Sequence, residues 1–236
     1  MTVYIPKFHP LFRPVGVPID RDRIPSVVVQ PKFDTRGKEF LVALHCTSNK
    51  VAGVFPKDQV PKEMAKPIVL VALMIEEMPH LVMVFERAEQ GRERGQSLFL
   101  SGRFNVADMV NGEIDQPVSA GLVTAVAARE IGEELGLKLA AVNTILTHRA
   151  TRIFSPYDLV DKIAPATRAW SGRFFPVVGV IPRKLFDQIT TDDSIATIRL
   201  VHYMSWREGV NKETFNGNIG LFEILRLYWR LPSFCR

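Results

Sequence analysis

Apolar positions along the chain gather into runs of two kinds. Residues 68–76 and 81–86 are β-branched and leucine-rich runs of strand length, separated by Pro79-His80, and they read as a hairpin. A charged, glycine-bearing loop over 88–95 leads to a third short strand over 97–100, which stops at Ser101-Gly102. An irregular stretch follows to Ala120. The strongest helix spans 122–135: its helix propensity is high, it contains no proline, and Gly136 stands where a residue with positive φ ends a helix. Two more strands are expected over 173–181 and 196–203, and a closing helix with apolar positions at helical spacing over 218–231. The pattern is α+β, without an internal repeat or a low-complexity segment.

The first 66 residues are less regular. Two short strand candidates, 26–30 and 39–45, flank the turn Asp34-Thr35-Arg36-Gly37, and a stretch rich in Lys, Pro and Glu over 57–66 sets a soft boundary. The expected organisation is a leader over 1–66, a main body over 67–212 and a C-terminal helix over 213–236 packed on the same domain. Pro6, Pro10, Pro14 and Pro18 break the start of the chain and leave no apolar core of secretory-signal length.

Composition narrows the class. With 236 residues, 47% of them apolar and 23% charged, the chain has globular proportions and supports one elaborated domain or two small ones. No apolar run reaches membrane-spanning length, so neither a membrane partner nor an export route is expected. Two cysteines, Cys46 and Cys235, make no disulfide framework, which points to a reducing compartment: the cytoplasm, or a reducing organelle lumen as the alternative. The net charge of +5 suits an anionic partner. Zinc spacing, an RNP-like aromatic pair and a dense basic run are all missing, so nucleic acid ranks last among such partners. The five histidines (9, 45, 80, 148 and 202) show no ligand spacing and read as structural. Oligomeric state is open, with a homodimer as one possibility.

Candidate chemistry concentrates in Arg129-Glu130-Ile131-Gly132-Glu133-Glu134-Leu135-Gly136-Leu137. On a helix, Glu130, Glu133 and Glu134 stand at i, i+3 and i+4, which stacks three carboxylates within about one turn. They repel one another and lie at a helix C-terminus, where the macrodipole already disfavours negative charge; each effect is a few tenths of a kcal/mol to about 1 kcal/mol. A hard divalent cation such as Mg²⁺ or Mn²⁺ would compensate, and Arg129 can pair with Glu133 at i+4. The bland alternative is a solvated acidic helix end. Against it, Leu122, Val123, Ala125, Val126, Ala127 and Ala128 cover nearly all sides of the helix, which therefore belongs inside the protein.

These residues resemble the second half of the Nudix box, G-x5-E-x7-R-E-U-x-E-E-x-G-U with U a bulky aliphatic, and 129–137 match it position for position. The resemblance implies an α/β/α sandwich with a mixed sheet between helices. It also implies metal ligation by Glu130, Glu133 and Glu134, a base on water among them, and Arg129 as their brace. The first half of the box departs: Gly121 and Asp115 occupy the positions of its glutamate and glycine. With extra loop residues, Gly102 becomes the box glycine and Gly112-Glu113 imitates the Gly-Glu pair, making Glu113 a further metal ligand; otherwise Glu113 is an ordinary loop acid.

Arg94-Gly95-Gln96-Ser97-Leu98-Phe99-Leu100-Ser101-Gly102-Arg103 is similar to the Arg-Gly-Gln-x-x-Phe-Pro-Gly-Gly stretch of the coenzyme A diphosphatase branch, with Leu100-Ser101 in place of Pro-Gly. Residues 175–182 resemble its Thr-Pro-Val-Val-Gly strand, and Asp192-Asp193 fall where that branch carries an acid. The likeness implies cleavage of coenzyme A, or an acyl derivative, to adenosine 3′,5′-bisphosphate and a 4′-phosphopantetheine product. Substrate contacts would come from Arg94, Gln96, Gly102 and Arg103, with Arg87 and Arg92 as further cations and Trp170 and 172–175 as a possible pocket lining. The alternatives are another Nudix substrate (ADP-ribose, NADH or a nucleoside triphosphate) and a Nudix fold that binds without catalysis.

Overall fold

The computed structural model describes residues 4–7, 17–18, 40–87, 97–109, 113–161, 172–191, 195–202 and 225; the elements expected over 26–30, and over 218–231 apart from Leu225, lie outside these. The described strands are β1 (Tyr4–Lys7), β2 (Val17–Pro18), β3 (Phe40–Leu44), β4 (Val51–Pro56), β5 (Lys66–Ile75), β6 (Met78–Arg87), β7 (Ser97–Leu98), β8 (Leu100–Arg103), β9 (Arg152–Ile153), β10 (Tyr157–Asp161), β11 (Gly172–Ile181) and β12 (Ile195–His202). Among the described residues the helices α1 (Ala120–Leu135) and α2 (Leu139–Leu146) accompany short 3-10 segments at Val106–Asp108 and Arg183–Gln188. The main sheet runs β1-β10-β11-β5-β6-β12, with β7, β8, β9 and β2 attached to it, and β3–β4 form a separate hairpin. Pairing is mixed: β11 and β5 are parallel over ten residues, while β5–β6, β6–β12 and β10–β11 are antiparallel.

The parallel pair lies at the centre because its sequence is apolar on both faces. Val69, Val71, Leu73 and Ile75 of β5, with Phe175, Val177 and Ile181 of β11, join Val123, Val126, Ala127 and Ile131 of α1 and Val142 and Ile145 of α2 in one buried cluster. The alternate residues Leu70, Ala72 and Met74, with Phe174, Val178 and Val180, form a second cluster with Phe154, Tyr157 and Leu225. Leu225, fully buried and helical, is the described residue of the expected closing helix. The α+β architecture with a mixed sheet is thus the observed one. At the end of the strand order, β12 is exposed at most positions.

The structure corrects several boundaries. Glu76-Glu77, not Pro79-His80, make the β5–β6 turn; the proline sits near the start of β6, where a missing N–H is tolerated. The third strand does not stop at Ser101-Gly102, since β8 pairs through Gly102 with Val69 and through Arg103 with Ile68. The expected boundary near Lys66 falls at the first residue of β5. Upstream of it, β3 and β4 place Val42, Leu44 and Val51 in the same core as α1. At about 1.5–3 kcal/mol for each buried aliphatic side chain, those three contribute several kcal/mol to the shared core.

Candidate active site

Helix α1 starts at Ser119, whose hydroxyl accepts the Leu122 N–H at 3.0 Å. It ends at Gly136, with φ 59°. Buried residues on several sides pack it onto the β5–β11 face, which fixes where its last turn meets β8.

At that meeting point Arg129 is the organising group. Its Nε and NH2 donate to the two carboxylate oxygens of Asp108 at 2.9 and 3.0 Å, NH2 also reaches the Arg103 carbonyl at 2.9 Å, and NH1 meets Glu130 Oε1 at 2.5 Å and Glu133 Oε2 at 3.2 Å. The expected Arg129–Glu133 pair is present, as one branch of a larger array. Asp108 comes from the 3-10 turn after β8 and is held there by the Asn105 N–H at 2.8 Å. Two-point pairing of a planar guanidinium with a carboxylate fixes orientation as well as distance.

Gly102 explains how Glu130 fits. A Cβ at this position would stand 1.6 Å from Glu130 Oε1 and 1.8 Å from its Cδ, so the side chain occupies the space that a larger residue would fill. Gly102 is not a left-handed turn residue, because Gly136 is the described glycine with positive φ. It is required for close approach.

Electrostatics follow from burial. Glu130 and Glu134 are 7% and 8% exposed, whereas the Glu133 side chain is 39% exposed. Burial pushes the Glu130 carboxyl up to about 8; the Arg129 charge opposes this, and Glu134 and Glu133 add to the rise. For Arg129, burial works against its charge, but the Asp108 hydrogen bond and the surrounding carboxylates outweigh it and raise its pKa. Three carboxylates (Asp108, Glu130 and Glu133) therefore share one guanidinium, and with Glu134 on the same helical turn they make an all-oxygen donor set whose chemistry fits a hard divalent cation. As they stand, the acids are arranged around Arg129: among the described residues, no three Asp, Glu, His or Cys side chains form a group that could hold a metal ion.

Other expected site residues separate from this cluster. Glu113 lies at the opposite end of α1, where the Ser119 hydroxyl donates to its Oε1 at 3.4 Å. Eleven residues of helix, about 16 Å, separate Ser119 from Glu130, so Glu113 does not join the three glutamates. Arg103 contributes its carbonyl to Arg129, but by strand pairing its side chain shares the face of Ile68, which packs against the second cluster, away from α1. Beside it, Lys66 has a lowered pKa, from burial and then from the Arg103 charge. Arg92, Arg94, Gln96, Gly112, Trp170, Asp192 and Asp193 lie outside the described residues, as does the side chain of Arg87.

The stretch 172–175 is not a pocket lining. Arg173 pairs two-point with Asp158 at 2.8 and 3.0 Å and donates to the carbonyls of His45, Cys46 and Ser48 and to Asn49 Oδ1, so it ties the β3–β4 loop to the sheet. Phe174 stacks on Tyr157 at 5.5 Å, and Phe175 packs against Phe104 at 5.1 Å. Sequence reasoning missed Asp108. Its only signal was an isolated acid in an irregular loop, 21 residues before its partner.

No protein-family model matches the chain, and no curated protein does. Among solved structures, DR0079 from Deinococcus radiodurans aligns with 14% identity over 81% of this chain and 100% of its own, at a TM-score of 0.46. A Nudix hydrolase from M. smegmatis, RenU, aligns with 11% identity over 69% of this chain and 85% of its own, at 0.41. A C. elegans Ap4A hydrolase aligns with 8% identity over 72% of this chain and 98% of its own, also at 0.41. Among the described residues no helix is long and apolar enough to cross a membrane.

Proposed function

We propose that the chain is a Nudix-type hydrolase that uses Mg²⁺ or Mn²⁺ to cleave the diphosphate linkage of a nucleoside-diphosphate derivative. The supporting observation is the last turn of α1, where Glu130 and Glu133 meet Arg129, Glu130 lies over the bare backbone of Gly102, and Glu134 follows on the same turn. Glu130 and Glu134 would hold the cation through their carboxylate oxygens, and Glu133, the exposed acid, is the one within reach of water and suited to take its proton. The bound cation would neutralise charge on the phosphate oxygens and favour attack by water. Arg129 holds two of the acids in place and carries positive charge where the substrate is anionic.

The proposed substrate is coenzyme A or an acyl derivative, giving adenosine 3′,5′-bisphosphate and 4′-phosphopantetheine. Its support is the order of the Arg94-Gly95-Gln96 stretch, the glutamate helix and the 175–182 strand along the chain. Purified protein with Mg²⁺ or Mn²⁺ is expected to release both products from coenzyme A. Cleavage of NADH, ADP-ribose or a nucleoside triphosphate instead would remove the substrate and keep the reaction. Glu133→Gln and Glu134→Gln should each abolish turnover, and unchanged activity in both refutes the site.

A second reading is a Nudix fold that binds nucleotides without hydrolysing them. It is favoured by Gly121 at the box-glutamate position and by the grouping of the acids around Arg129. Saturable nucleotide binding by calorimetry, with no product from any of these substrates, would establish it.

A further inference from the structure

Arg129 has no idle nitrogen: Nε and NH2 go to Asp108, NH2 is shared with the Arg103 carbonyl, and NH1 goes to Glu130 and Glu133. Among the described residues the Asp108 contact is the only one made at two points, so it sets the plane of the guanidinium and the direction of NH1. Asp108 is itself fixed. Its side chain is 5% exposed, its Oδ2 accepts the Asn105 N–H, its own N–H donates to the Asn105 carbonyl at 3.0 Å, and Asn105 bridges to Leu41 of β3. A continuous path therefore runs from the β3 hairpin through the turn Val106–Asp108 and Arg129 to Glu130, which is confined on its other side by Gly102.

We infer that Asp108 is a positioning residue of the carboxylate site, setting where Glu130 and Glu133 stand by orienting Arg129. The inference rests on the proposed hydrolase reading for its effect on turnover, and on geometry alone for its effect on the carboxylates. Asp108 touches neither substrate nor the reacting atoms; it acts through Arg129. The same contact makes residues 105–108 a second structural input to the site, independent of the capped N-terminus of α1, where Glu113 lies.

The test compares Asp108→Asn, Asp108→Glu, Arg129→Lys and Glu113→Gln in the full chain, each shown to fold by circular dichroism. Mn²⁺ affinity is read from the electron paramagnetic resonance of the free ion, and kcat and KM from diphosphate hydrolysis. Asp108→Asn should weaken Mn²⁺ at least fivefold and lower kcat at least tenfold, with KM within threefold of native. Asp108→Glu, which keeps the charge on a longer arm, should recover part of both losses, and Glu113→Gln should leave Mn²⁺ affinity within twofold. A folded Asp108→Asn variant within twofold of native in both readouts overturns the inference. If that variant does not fold, Asp108→Glu, which moves the carboxylate by one methylene, and Arg129→Lys, which keeps the charge but cannot pair at two points, decide: a loss of Mn²⁺ affinity of more than twofold in either supports the role, and affinity within twofold of native in both refutes it. A native chain that binds Mn²⁺ but cleaves no diphosphate defeats the proposed function while the Mn²⁺ comparison still judges Asp108; a native chain that binds no Mn²⁺ defeats both.

Discussion

Gly102→Ala is the sharpest single perturbation of this site, because one methyl group is set against one carboxylate. The added Cβ would stand 1.6 Å from Glu130 Oε1, 1.8 Å from Cδ and 2.5 Å from Cγ. Ordinary contact lies near 3.5 Å, so the carboxylate must retreat by about 2 Å. It cannot do so freely, since Glu130 is buried and its Oε1 is held by Arg129 at 2.5 Å. Losing a hydrogen bond to a charged group, here the Arg129 guanidinium, costs about 1.5–3 kcal/mol, and overpacking a filled site about 1–3 kcal/mol. The restricted unfolded chain returns about 0.4–1 kcal/mol. The net expectation is a destabilisation of about 1.5–5.5 kcal/mol, which for a domain of this size lowers the unfolding midpoint by about 3–20 °C. Displacing a catalytic group by more than 1 Å should also reduce turnover by about 100-fold in the fraction that remains folded. Differential scanning calorimetry and a coenzyme A hydrolysis assay read the two effects. A Gly102→Ala protein with native melting and native turnover would falsify the placement of Glu130 over Gly102.

The remaining expectations concern charge and packing. Glu130 has its pKa raised from 4.5 to about 8, so its proton is held more tightly in the folded chain than in the unfolded one. Its stabilising contribution is full below about pH 4.5 and is lost as pH rises through about 8; a shift of this size corresponds to a few kcal/mol. Urea midpoints measured in metal-free buffer between pH 5 and pH 9 should fall with pH in the native protein, and Glu130→Gln should remove most of that slope; equal slopes refute the assignment. Arg173→Met strands Asp158 and three loop carbonyls, so a loss of about 3–5 kcal/mol is expected with turnover kept by the folded fraction. A stable variant with reduced turnover would instead make Arg173 a site residue. Gly136→Ala puts a side chain at φ 59° and a Cβ 2.0 Å from Thr190 Oγ1, which should cost about 2–4 kcal/mol by chemical denaturation; a change below about 0.5 kcal/mol contradicts the geometry.

Some features were legible locally. The stop of α1 at Gly136, the two central strands and the stacking of the three glutamates depend on spacing within a few residues, and spacing is what a sequence displays. Others were not. α2 is eight residues long and follows α1 after three residues, so its two turns look like a continuation of apolar sequence. Strand β4 contains Gly53 and ends at Pro56, both poor strand signals, and it persists because Val51 is buried in the core and the strand pairs with β3.

The sequence alone determined that three carboxylates share one turn of a buried helix and that a basic chain would favour an anion. Only the tertiary structure decided how those carboxylates are held. It set Asp108 against Arg129 across 21 residues, placed Gly102 under Glu130 and sent Glu113 to the far end of the helix. The physical reason is range: helical periodicity fixes neighbours three and four residues apart, whereas a two-point ion pair and a contact permitted by a missing Cβ arise only when strands and helix pack.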